Sequence, residues 1–98
     1  MWVKIHKSYR TIVAVCDEDI LGKKFEEGIK QLYIREDFYK GQKVSKEELI
    51  SLLRREAKED STFNIAGKES IDSAIEARLI EKQFCKKVQG IPFILVLA

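Results

Sequence analysis

Residues 1–98 read as one globular domain of the α+β class: a mixed β-sheet of four to five strands, begun by an N-terminal antiparallel hairpin and packed by two main helices. Three observations predict it. Apolar and polar residues alternate over residues 2–7, and the apolar run of residues 10–16 follows after only Ser8 and Tyr9. Ser45-Lys46-Glu47-Glu48 opens a stretch in which Leu49, Leu52, Leu53 and Ala57 recur at helical spacing. Beyond it, strand-like and helix-like segments alternate to the end of the chain.

Each element has a local reason. Val3 and Ile5 face one way and Trp2, Lys4 and His6 the other, as in a half-buried strand. Residues 10–16 are apolar on both faces and suit a central strand, joined to the first by a hairpin. Asp17 is placed to cap a short helical turn through Leu21, with Glu18 and Asp19 in its first turn. Gly22 then ends that turn in a left-handed conformation. Residues 25–28 are ambiguous, and residues 29–34 read as a strand. Residues 36–41 read as a loop in which Gly41 takes a positive φ.

Ser45 and Glu48 form a capping box, so a helix is predicted over residues 45–58. A short strand is centred on Phe63-Asn64-Ile65, and Gly67 turns the backbone into a second helix over residues 69–78. Ile71, Ala74, Ile75 and Leu79 supply its buried face. The run from Ile91 to Leu97 is apolar throughout, which predicts a strand buried on both faces. Gly90-Ile91-Pro92 precedes it, and a proline is tolerated at a strand's start because no ladder bond needs its N–H.

Size and composition narrow the function classes. The chain has 98 residues, 45% hydrophobic and 35% charged, enough to bury about two-thirds of its unfolded surface. The expected radius of gyration is about 13 Å. The alternating N-terminus lacks the continuous apolar core of a signal peptide. The C-terminal apolar run falls well short of the roughly 20 residues that span a bilayer. A cytoplasmic protein with no membrane association is the expectation. Eighteen basic residues against sixteen acidic ones leave a net charge of +2, too balanced to imply nucleic acid by itself. Lysine and glutamate abound while Asn64 is the single asparagine, a tendency of thermophile proteins. Cys16 and Cys85 stand far apart without metal-ligand spacing, so reduced thiols, no metal and no cofactor are expected.

Two constellations are candidates for binding. The first is an anion site at a strand-to-helix turn, made by Asn64, Gly67, Lys68 and Ser70. There, free N–H groups near Glu69 and Ser70 would point outward with the helix dipole behind them. Thr62 stands where a nucleotide P-loop needs glycine, and the competing reading is a capped turn with no ligand. The second is a basic and aromatic RNA surface, made by Lys4, Lys23, Lys24, Tyr39, Lys40 and Lys43 beside Trp2, His6 and Tyr9. Its competing reading is an ordinary solvated face. A Cys16–His6 dyad fails on distance. Hairpin geometry separates the two by about 17 Å.

Cys16-Asp17 with Leu21-Gly22-Lys23, Phe25-Glu26-Glu27-Gly28, Phe38-Tyr39-Lys40-Gly41, Asn64-Ile65-Ala66-Gly67 and Gly90-Ile91-Pro92 together resemble the archaeal family catalogued as domain of unknown function 424. The likeness spans almost the whole chain. It implies a small archaeal protein and brings no activity, cofactor or catalytic residue to carry over. The family's association with translation implies RNA or a ribonucleoprotein as partner, and hence a non-catalytic binding module. A small enzyme or ligand-binding protein holding a phosphorylated ligand at the Gly67-Lys68 turn, and a protein-interaction subunit, are the alternatives.

Overall fold

Alternation at the N-terminus produces the expected hairpin. Strands β1 (Trp2–His6) and β2 (Ile12–Cys16) pair antiparallel, with Trp2 opposite Cys16 and His6 opposite Ile12. The computed structural model describes residues 1–97. After a 3-10 turn (Glu18–Ile20), Gly22 takes φ +82°, and a second hairpin joins β3 (Lys24–Glu27) to β4 (Lys30–Tyr33). The order continues with α1 (Glu36–Tyr39), β5 (Gln42–Lys43), α2 (Lys46–Lys58), β6 (Thr62–Ala66) and α3 (Lys68–Glu76). It ends with β7 (Lys86–Val88) and β8 (Ile91–Val96).

The main sheet has six strands in the order β5-β1-β2-β6-β8-β7, and β3-β4 form a separate two-stranded sheet. The class is α+β, with more strands than the four to five expected. The additions are β3, which falls in the stretch read as ambiguous, and β5 and β7, two and three residues long and too short to leave a period in the sequence. All neighbours in the main sheet run antiparallel except β2 and β6, which pair in parallel with Ile12 beside Thr62 and Cys16 beside Ala66. The radius of gyration is 12.4 Å.

Strand alternation sends side chains to two cores. On one face Val3, Val13, Val15, Phe63 and Ile65 pack with Leu49 and Leu53 of α2 and Ile71 and Ala74 of α3. On the other, Ala14, Cys16 and Ala66 lie under Ile20, Ile34 and Tyr39, with Phe25, Leu32 and Phe38 closing the edge. The capping box of α2 is complete: Ser45 Oγ accepts from the Glu48 N–H at 3.2 Å, and the Glu48 carboxylate accepts from the Ser45 N–H at 2.9 Å.

Four expectations are corrected. Residues 36–39 are a helical turn, and Gly41 does not take a positive φ. Glycine is required there by proximity, since a Cβ would lie against the Val3 carbonyl oxygen and 2.9 Å from Lys4 Cα. The strand expected over residues 29–34 covers only Lys30–Tyr33, and Ile29 lies fully exposed at the β3–β4 turn. The end of β8 is covered on one face only: Leu95 is 54% exposed and Leu97, just beyond the strand, 72%, because α1 and the β3–β4 hairpin reach no further than Phe93.

The fourth correction concerns Asp17, whose side chain makes no cap on the 3-10 turn. Its carboxylate crosses to the start of α3, where Oδ2 accepts from the Glu69 N–H at 3.0 Å. Oδ1 accepts from the Ser70 N–H at 2.8 Å and from the Ser70 hydroxyl at 2.7 Å. Both Asp17 and Ser70 are buried. Gly67 has φ +105° and ψ 153°, a region open essentially to glycine alone. A Cβ there would sit on the Asp17 carboxyl group.

Four variants test this account by denaturant unfolding. Leu53→Ala, at a fully buried position, should cost about 2–5 kcal/mol; a loss under about 1 kcal/mol would mean that α2 does not pack on the sheet. Asp17→Ala should cost about 3 kcal/mol or more, because it orphans buried donors at a helix terminus. Gly67→Ala should cost more than about 1 kcal/mol on backbone strain alone. In the Asp17→Ala/Gly67→Ala double variant the collision disappears, so the two losses should sum to more than the measured total. Strict additivity would show that the carboxylate does not lie over Gly67.

Candidate functional site

The turn at Gly67 is built as a complete anion site whose anion belongs to the chain. Helix α3 leaves free donors at its first turn and carries the positive end of its dipole there. The carboxylate of Asp17 takes the Glu69 and Ser70 donors. The expectation that these N–H groups point outward is therefore overturned: they point at Asp17. Gly67 serves this internal contact, and Ser70 is buried beneath it. Asn64 belongs elsewhere, since alternation places it with Ala14 and Leu95 on the sheet face away from α2 and α3. Lys68 alone of the four is exposed.

The basic residues fall into two groups on that same face. Lys40 Nζ lies 5.7 Å and Lys43 Nζ 5.9 Å from the centre of the Trp2 ring. Lys43 also pairs with Glu18 at 2.6 Å, which holds the Glu18 carboxyl below its usual range. Lys40 has no acidic partner among the described residues. The geometry arises because Trp2 pairs with Lys43 across the β1–β5 edge while Lys40 ends α1 just above it. Lys4, two residues along β1, donates to the Asp37 carbonyl at 2.8 Å, and His6 contacts the Phe38 carbonyl at 2.8 Å while stacking on the Phe38 ring. Those two side chains fasten α1 to the sheet.

The second group is at the β3–β4 hairpin. Lys24 and Tyr33 are cross-strand partners, with Nζ 5.9 Å from the centre of the Tyr33 ring. Lys24 also lies 3.6 Å from Glu26, and Lys23 is exposed beside it. Tyr33 is 53% exposed and was not among the predicted residues; its signal was its place in the outward register of a strand beside Leu32. Tyr39 is the reverse case. It is buried in the second core, and burial pushes its phenol up to about 12, so it offers no face to a nucleic acid. It is buried because the helical turn of α1 aims it at Cys16 and Ala14.

The cysteines are both free thiols. Burial, with the Asp17 charge adjacent, pushes the Cys16 thiol up to about 12, which makes it a poor nucleophile. Among the described residues no group of three or more His, Cys, Asp or Glu side chains is placed to hold a metal ion. Among the described residues no helix is long and apolar enough to cross a membrane.

Comparisons agree with this fold. An uncharacterized conserved protein from Methanopyrus kandleri superposes with a TM-score of 0.86 at 23% sequence identity, covering 98% of this chain and 90% of that one. At that identity the likeness concerns the fold. No curated protein matches the chain. A family model described as protein of unknown function (DUF424) matches residues 6–98. On that match, the chain belongs to the DUF424 family.

Proposed function

We propose that this protein is a non-catalytic module that binds single-stranded RNA, free or within a ribonucleoprotein, along the face carrying Trp2 and Tyr33. The observation that carries the reading is the placement of Lys40 and Lys43 over the Trp2 ring. Trp2 is half-buried, and a lysine resting on the open side of such a ring is worth about 0.5–1 kcal/mol. A base stacked on the same ring is worth about 1–3 kcal/mol. An arriving base takes the place of the ammoniums on the ring, and Lys40, which has no acidic partner among the described residues, is left within reach of the neighbouring phosphate. Lys24 and Tyr33 repeat the pairing on the hairpin, which gives a strand a second place to stack. Lys23 adds an exposed charge beside it. Recognition by stacking and charge tolerates many sequences, which suits a balanced net charge of +2 concentrated at a few points.

A second reading, a protein-interaction subunit, rests on the exposed apolar side chains of Phe84, Leu95 and Leu97 around one cavity.

Trp2 is the only tryptophan, so its fluorescence reports directly on the proposed platform. Titration with oligouridine at low salt should quench it. The logarithm of affinity should fall with the logarithm of salt at a slope of about −2, for three phosphate contacts on a single strand. Lys40→Ala/Lys43→Ala should flatten that slope, and Tyr33→Ala should weaken binding by about tenfold, as the loss of one stacked base implies. Unchanged Trp2 emission at low salt would remove the RNA reading and leave the apolar surface as the better lead.

A further inference from the structure

On the opposite face of the sheet, at the edge away from Trp2, a cleft of about 690 Å³ opens between α3 and the β7–β8 hairpin. Small-molecule sites run from roughly 300 to 1,000 Å³. Its floor is apolar. Ile71 and Ile75 stand one helical turn apart on α3, facing Pro92 and Cys85; Ile71 and Pro92 are buried, Ile75 and Cys85 half-buried.

The rim is cationic. Lys68, Lys82 and Lys87 line it, and none has an acidic partner among the described residues. Five other cations, Lys24, Arg35, Lys43, Lys46 and Arg55, do have one. A single acid, Asp72, joins the three lysines, so three positive charges less one negative leave +2. A phosphate monoester carries about −1.5 to −2 at neutral pH. Inorganic phosphate would match the charge and leave the floor wet; a neutral hydrophobe would cover the floor and leave the charges unmet.

We infer that this cleft binds a small phosphate monoester with an apolar body, the phosphate among Lys68, Lys82 and Lys87 and the body on Ile71, Ile75 and Pro92. The site is distinct from the Gly67 turn, whose donors Asp17 occupies, although Lys68 lies close to both. It is also independent of the Trp2 platform: β1 and β8 are separated by β2 and β6.

Naphthyl phosphate is a suitable probe, with naphthol and inorganic phosphate as its two halves. In titrations followed by NMR, the ester should shift the Ile71 and Ile75 methyl signals and the Gly90 amide saturably, with affinity about tenfold or more above either half. Lys82→Ala/Lys87→Ala replaces two exposed side chains and should weaken the ester by about tenfold or more. Unshifted methyl signals of the buried Leu49 and Leu53 would verify that the variant remains folded. Three results would overturn the inference: no shifts at millimolar ester, equal affinity for inorganic phosphate, or undiminished affinity in the folded double variant.

Discussion

The carboxylate of Asp17 on the first turn of α3 is the contact around which the molecule is arranged. It joins the end of β2 to the start of a helix more than fifty residues later. Those are the same two regions that the parallel β2–β6 pair brings side by side. A hydrogen bond from the Asp17 N–H to the Ala66 carbonyl extends the ladder to the junction itself. The charge is buried yet satisfied three times over, by two backbone donors and a hydroxyl, which is the condition for a carboxylate to be tolerated there. Everything nearby follows from it. Residue 67 must lack a side chain, residue 70 must be small and able to donate, and the backbone between them must bend through a geometry reserved for glycine.

What was legible in the chain, and what was not, divides by the distance over which a residue's partner lies. Ser45 and Glu48 bond to each other three residues apart, so their pattern stated the start of α2 outright. Gly22 and Gly67 showed as turn residues for the same local reason. Asp17 misled because it has a plausible local role, capping the turn that follows it, and a better remote one. Gly41 misled similarly: its constraint is the backbone of β1, nearly forty residues away. Tyr39 looked like a surface aromatic because the helical turn that buries it is only four residues long. Among the proposed contacts, Lys40 and Lys43 were legible as lysines flanking a turn. That they share one ring with Trp2 depends on the pairing of β1 with β5, which two residues of strand do not advertise.

Two kinds of charge chemistry coexist on this surface. Where a cation has a structural task it is tied to a fixed oxygen, as Lys4 is to a carbonyl of α1. Elsewhere it rests on an aromatic ring, with an exposed acid beside it at Lys24 and Lys43 and none at Lys40, or stands over apolar floor. The second group is held weakly and exchanges partners at small cost in free energy, since exposed pairs of this sort are worth about 1 kcal/mol or less. A protein with no surplus of charge can thus still present local positive fields, provided that its acids are engaged elsewhere. Glu48 is engaged in the capping box and Asp17 in the junction.

The parallel pairing at the centre of the sheet also bears on how the chain acquires its shape. Every residue of β2 is joined to one fifty positions later, so the middle of the sheet cannot close until β6 exists. During synthesis at about 5–20 residues per second, the N-terminal hairpin waits about 3–10 s for that partner. Throughout this interval Val13, Val15 and Cys16, all fully buried in the finished molecule, have one edge of β2 open. A strand edge held open in this way is a site for wrong pairing, and contacts of such long range slow the closing step. The carboxylate at the end of β2 lies at the boundary of that open edge, and its negative charge sets it against stacking with a second copy of itself.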